Sequence, residues 1–192
     1  MFQRPHGRLW KNFEKDQRKS NFFRKNKTAI FFLEMKNLII TLGITGCGKS
    51  SWLKDKHPVV ETDDLRIELL SNIDDITQEG FIFKTASKRL AKLLDSYDTV
   101  YFGATMVDSN HRISFLQSVK DMCVYSFVID VVVFPSDPKV SIARIKKDLK
   151  NGIFRANSLQ YIDQQYKQFL HTLDILSNER TFYRKIKYNL LP

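Results

Sequence analysis

Residues 43–50 read Gly43-Ile44-Thr45-Gly46-Cys47-Gly48-Lys49-Ser50, and this stretch decides the fold. It fits the pattern G-x-x-x-x-G-K-[ST], with Gly43, Gly48, Lys49 and Ser50 at the fixed positions. Upstream, residues 37–42 (Asn-Leu-Ile-Ile-Thr-Leu) read as a short buried strand. Downstream, Ser51-Trp52-Leu53-Lys54 can continue as a helix. Strand, glycine loop and helix start are what a phosphate cradle requires. The glycines let backbone N–H groups turn inward, and the helix N-terminus adds unpaired donors and a partial positive charge. A chance glycine turn would not need the strand and helix on either side. The loop from Gly43 to Ser51 is therefore the expected nucleotide site. Lys49 would reach the β- and γ-phosphates of ATP, and the Ser50 hydroxyl would ligate Mg²⁺.

Bulk properties narrow the setting. At 192 residues with 43% hydrophobic content, the chain suits one α/β domain with a two-sided core. No apolar run approaches the ~18 residues of a membrane-spanning helix, so no membrane role is expected. Cys47 lies inside the phosphate loop, where a disulfide would obstruct a ligand. Both cysteines, Cys47 and Cys123, read as reduced, and the expected setting is cytoplasmic. The polar, basic start lacks an apolar secretory core. His6, His57, His111 and His171 are scattered without ligand spacing, which argues against a structural zinc site.

The charge is uneven. Residues 1–34 carry nine Lys/Arg against three Asp/Glu, more than half of the net +10. Phe2, Trp10, Phe13, Phe22 and Phe23 are interleaved with these cations. Such a segment fits a nucleic-acid-binding arm, with cations on phosphates and rings on bases. It also fits a solvated tail, or an extension created by a start placed upstream of Met35. The expected organisation is a basic, poorly ordered or artefactual extension over 1–34 and one catalytic domain over 35–192.

Beyond Lys36, elements alternate as in a parallel α/β sheet. The patterns predict strands at 37–42, 58–61, 99–103, 125–134 and 182–190. They predict helices at 65–71 and 81–95, one capped by Ser109, one opened by Asp137-Pro138, and a long helix marked by Leu159, Ile162, Tyr166, Phe169 and Leu173. Residues 150–157 read as a basic loop around Gly152.

A second constellation, Glu61-Thr62-Asp63-Asp64-Leu65-Arg66, follows the second strand. Ligands bind outside the carboxyl ends of strands in such sheets. Asp63 there can take the proton of an attacking hydroxyl, with Arg66 holding an acceptor phosphate. The plain alternative is a helix-capping Asp63 and a surface Arg66. Arg112 suits acceptor contact and a surface position equally, and Asp130, inside an apolar strand, suits a backbone contact or a place near a strand end.

The segment from Met35 through the loop to Trp52, together with Asp63-Asp64-Leu65-Arg66, resembles the kinase domain of phage polynucleotide 5′-hydroxyl kinase. It also resembles the wider P-loop kinase family around it, including zeta-type toxins. The likeness covers about residues 35–175. It implies a P-loop NTPase fold, a three-layer α/β/α sandwich with a mostly parallel sheet and a helical lid. It implies an ATP- and Mg²⁺-dependent phosphotransferase acting on a polynucleotide 5′-hydroxyl, with nucleic acid as partner. Lys49 and Ser50 match its phosphate-binding residues, Asp63 its general base, and Arg66 its acceptor-phosphate arginine. Ala104-Thr105, leading to Arg112, resembles the next box. Arg144 and the basic residues after it resemble the lid, whose catalytic cation is Arg144, Lys147, Lys150 or Arg155. Ser158-Leu159-Gln160-Tyr161-Ile162 resembles the helix start beyond the lid, without the usual proline.

Departures stand beside these matches. Thr45 and Cys47 replace Pro and Ser of the loop, which backbone donors tolerate. The third strand ends in Gly103-Ala104, with no acid where relatives place one, leaving Asp63 or Asp64 to compensate. The competing readings are a small-molecule or nucleotide-sugar kinase and a non-catalytic ATP-binding module. Acceptor identity and oligomeric state are not encoded in these motifs.

Overall fold

Five short apolar segments line up side by side in the computed structural model, which describes residues 35–153 and 158–189. They are β1 (Lys36–Leu42), β2 (Val59–Glu61), β3 (Thr99–Gly103), β4 (Phe127–Val133) and β5 (Lys185–Tyr188). They form one sheet in the order β2-β3-β1-β4-β5, and every pairing is parallel. β1 is buried from Leu38 to Leu42 apart from the half-buried Ile39, with Leu38, Ile40, Thr41 and Leu42 fully buried. β4 is buried along almost its whole length, as expected for a strand covered on both faces.

The helices are α1 (Lys49–Leu53), α2 (Thr62–Leu70), α3 (Glu79–Ser96), α4 (Ser109–Met122), α5 (Pro138–Lys150) and α6 (Ser158–Ile175), with a 3₁₀ turn at Asn178–Thr181. Parallel crossovers are right-handed. Trp52 of α1 packs on Tyr101 and Phe83 of α3 packs on the next residue, Phe102, which faces the other side of the sheet, so α1 and α3 cover opposite faces. This is the three-layer α/β/α architecture expected from the sequence, with a sheet parallel throughout its described strands. No helix among the described residues is long and apolar enough to cross a membrane.

Two caps differ from the reading of the sequence. Ser109 opens α4 but does not cap it. Asp108 does, accepting from the His111 amide at 2.8 Å, because its carboxylate reaches the first-turn donors one residue earlier. Asp63 lies in the first turn of α2, whose N-cap position is held by Glu61. Asp137-Pro138 opens α5 as expected, with Pro138 at the helix start, and Asp137 also caps it, accepting from the Lys139 amide at 2.8 Å.

Asp130 is buried in β4 and takes a bidentate pair from Arg184, Nε at 2.9 Å and Nη2 at 2.6 Å. It ties β5 to the sheet. The extension 1–34 and the end of the basic loop, including Arg155, lie outside the described residues.

Candidate functional site

The carboxyl ends of β1, β2 and β3 open into one cleft of about 880 Å³. The phosphate loop forms one wall. Gly46 and Gly48 have φ of 79° and 108°, a region that side chains with a Cβ rarely enter. Gly43 is packed so closely that a Cβ there would lie 2.7 Å from Cys47 Sγ. Side chains from other elements hold the loop's opening: Ser136 accepts from the Ile44 amide at 3.2 Å, and Gln165 of α6 accepts from the Thr45 amide at 2.9 Å. The α1 ladder opens with the Trp52 amide donating to Gly48 O at 3.2 Å. The amides that precede it sit at a helix start, where the ladder gives them no partner.

Lys49 Nζ lies over the loop, donating to Gly43 O at 2.9 Å and Ile44 O at 2.8 Å. Arg144 of α5 approaches from the other side and donates to Gly46 O at 3.3 Å. Lys147, one turn on, also lines the cleft. Of the four candidate lid cations, Arg144 and Lys147 border this space, Lys150 is not among its lining residues, and Arg155 is outside the described residues.

Across the cleft stand Asp63 and Arg66 at the start of α2. Arg66 is only 9% exposed. Its Nη1 donates to Asp63 Oδ1 at 2.7 Å, its Nε donates to Glu79 Oε1 at 2.9 Å, and its Nη2 pairs with the same Glu79 carboxylate. Arg66 is thus not the free surface residue of the plain alternative, but it is already engaged by two acids. Asp74, Glu79 and Asp108 border the same side, with Ile76, Phe83 and His111. The Phe83 and His111 rings meet edge to face, 4.5 Å between centroids.

Arg112 belongs neither to the surface nor to the cleft. It is fully buried, because Glu179, placed by the 3₁₀ turn, neutralises it. Its Nη2 bonds both Glu179 oxygens at 2.7 Å, its Nη1 donates to Met106 O at 2.6 Å, and its Nε donates to Tyr183 Oη at 2.9 Å. Ser109 and Tyr183 add hydroxyl donors to the same carboxylate. Burial alone would raise the Glu179 carboxyl, but donors from Arg112, Ser109 and Tyr183 hold it below its ordinary 4.5. Burial pushes the Tyr183 phenol up to about 12. The network braces residues 104–108, the loop that carries β3 into the cleft.

The sequence reading missed three contributors. Gln165, Gln168 and Thr172 lie on one side of α6. Gln168 donates to Asp108 Oδ2 at 3.3 Å, and Thr172 donates to Val107 O at 2.6 Å. Their spacing was a visible polar stripe on a helix read only for its core face.

The fourth omission is Glu61, whose Oε2 accepts from Ser50 Oγ at 2.7 Å. Burial, reinforced by Asp64 and Asp63, raises its carboxyl above the ordinary 4.5, against the Ser50 hydrogen bond and Lys49. Among the described residues there is no group of three or more His, Cys, Asp and Glu side chains suited to a metal. The hydroxyl and carboxylate of Ser50 and Glu61 are hard oxygen donors beside the phosphate loop. They suit Mg²⁺, which takes one or two protein oxygens and completes its shell from phosphates and water.

No family model and no curated protein matches the sequence. Solved structures do. A chain of the Pnkp1/Rnl/Hen1 RNA repair complex aligns with a TM-score of 0.58 at 20% identity, over 73% of this chain and 46% of that one. This chain thus spans less than half the length of that counterpart. A structure of the PezAT chromosomal toxin–antitoxin system of Streptococcus pneumoniae aligns with a TM-score of 0.58 at 15% identity, over 80% of this chain and 68% of that one. At such identities the likeness speaks for architecture, and strand order, phosphate loop and cleft agree with it: the chain has the fold of the P-loop kinases.

Proposed function

We propose that the chain is a phosphotransferase that moves the γ-phosphate of ATP to a hydroxyl, with a polynucleotide 5′-hydroxyl as acceptor. One observation carries this reading: Lys49 and Asp63 border the same cleft from opposite walls, one opening α1 beyond the glycine loop and the other in the first turn of α2. In the transfer, a bond forms from the acceptor oxygen to Pγ while the bond from Pγ to the β,γ-bridging oxygen breaks. ADP departs, and the acceptor proton passes to Asp63. Such reactions depend on positioning and charge neutralisation. Lys49 and Arg144 lie where they can offset charge on the phosphates. Mg²⁺, held by Ser50, would neutralise the β- and γ-oxygens when bound.

The polynucleotide acceptor is supported by the Asp63-Asp64-Leu65-Arg66 motif and by the RNA repair complex among the structural counterparts. One observation favours a second reading, a small uncharged acceptor. The acceptor wall carries Asp63, Asp74, Glu79 and Asp108, and its Arg66 is already paired with two of them.

ATP-dependent labelling of a 5′-hydroxyl oligonucleotide, with Lys49→Ala and Asp63→Asn as controls, tests the proposal. Full labelling by Asp63→Asn would remove Asp63 as the base. Salt separates the acceptors. Affinity for a single-stranded polynucleotide falls against log salt with a slope of about −0.7 per neutralised phosphate, whereas a neutral acceptor shows little slope. ATP binding without turnover on any acceptor would leave only a nucleotide-binding module.

A further inference from the structure

Glu61 closes β2 and holds the N-cap position of α2, yet its side chain makes no capping hydrogen bond. Side-chain oxygens at this position ordinarily accept a first-turn amide. Glu61 turns instead into the cleft and accepts the Ser50 hydroxyl at 2.7 Å. Helix capping therefore does not explain this placement.

The space it occupies lies beside the neighbouring strand's terminus. Parallel pairing sets Glu61 next to Gly103, the last residue of β3. A Cβ on Gly103 would lie 2.7 Å from Glu61 Cγ, 3.0 Å from Glu61 Oε2 and 2.6 Å from Leu53 Cδ1. At such distances something must shift, so a side chain at the end of β3 would push both Glu61 and Leu53 out of their present poses. An acid placed at position 103 would start beside Glu61 and compete with it for this space.

We propose that Glu61, with Ser50, holds the divalent cation of the bound nucleotide, and that Gly103 is small so that this acid can enter from β2 across the end of β3. The inference rests on the nucleotide-binding reading of the loop. It names Glu61, rather than Asp63 or Asp64, as the acid that compensates for the missing one at the end of β3. By donating its proton to Glu61, Ser50 leaves its lone pairs for the cation. Asp63, paired with Arg66, then serves the acceptor side, and the two carboxylates divide the work between two walls of the cleft.

The experiment is calorimetric titration of the full-length chain with ATPγS, in Mg²⁺ and in EDTA, paired with Mn²⁺ binding followed by EPR. The proteins are wild type, Glu61→Gln, and the transposed double variant Glu61→Ser/Gly103→Asp. Thermal unfolding without nucleotide checks that each is folded. Glu61→Gln is expected to lower Mn²⁺ affinity and the Mg²⁺-dependent gain in ATPγS affinity by about 10–100-fold, the range for a partner that orients a metal ligand. Its affinity in EDTA should match wild type. The double variant, which moves the acid to the adjacent strand, should recover most of the loss. A folded Glu61→Gln with the full Mg²⁺ gain overturns the proposal. So does a folded double variant as weak as Glu61→Gln. If Glu61→Gln fails to fold, recovery or loss in the double variant alone decides. Wild type that binds ATPγS in neither condition would bring down the nucleotide reading itself, a result distinct from the others.

Discussion

The two walls of the cleft are built by different means. The phosphate wall, Gly43 to Ser51, relies on backbone donors at a helix start, with Lys49, Arg144 and Lys147 as its cations. The acceptor wall relies on side chains that already bind one another: Arg66 with Asp63 and Glu79, and Asp108 with Gln168 and the α4 amide of His111. Backbone recognition tolerates side-chain replacement, so Thr45 and Cys47 can stand where relatives of the motif carry Pro and Ser. A wall of paired side chains has no such latitude. Under the proposed reading, an acceptor phosphate would have to compete with Asp63 and Glu79 for Arg66.

The sharpest way to break this contrast is to strike each wall at its reactive group. Asp63→Asn should lower kcat by about 10²–10⁴-fold, the usual contribution of a positioned general base. Its affinity for ATP, measured by equilibrium binding, should not change. Lys49→Ala, on the phosphate wall, should lower kcat by about 10²–10³-fold, as for loss of one charge-stabilising donor. If Asp63→Asn also lost ATP affinity, the two walls would not be separable.

Removing the brace behind the acceptor wall comes next. Glu179→Ala leaves Arg112 fully buried without its counter-charge. It should cost about 3–5 kcal/mol of stability in urea unfolding. A loss below about 1 kcal/mol, as for an exposed pair, would mean that solvent reaches Arg112 and the loop is not braced this way.

A subtler change sharpens the comparison. Glu79 is partly exposed, and Glu79→Gln frees Arg66 from one of its acids. A phosphate-bearing acceptor should then bind up to about fivefold tighter, the equivalent of ~1 kcal/mol for an exposed ion pair. A neutral acceptor should show no gain, so acceptor KM values for the two classes separate the competing readings.

The smallest expected effect is on pH dependence. Glu179 has a depressed carboxyl, so the unfolded chain takes up its proton first as pH falls. The stability it contributes is complete above its ordinary 4.5 and is lost as pH drops from there through the lower folded value. Glu179→Gln should flatten that acid limb of the stability curve, read from urea midpoints, and leave the neutral region level.

The phosphate wall was legible because its information is local. Gly43, Gly48, Lys49 and Ser50 lie within eight residues, and a strand and helix flank them in sequence. The parallel sheet was legible for a similar reason, since apolar runs and helical periodicity repeat along the chain. Asp63 and Arg66 could be singled out because three residues on a helix start put them side by side. Arg112 could not be placed, because its burial depends on Glu179 and Tyr183, 67 and 71 residues away. Glu61 was passed over for the same reason: in sequence it precedes two more conspicuous acids, and only the β2–β3 register sets it beside Gly103. Short-range order thus followed from composition and spacing alone. The partners of each charged group were decided by strand register and helix packing, because a buried charge is stable only beside a counterpart that the folded chain brings to it.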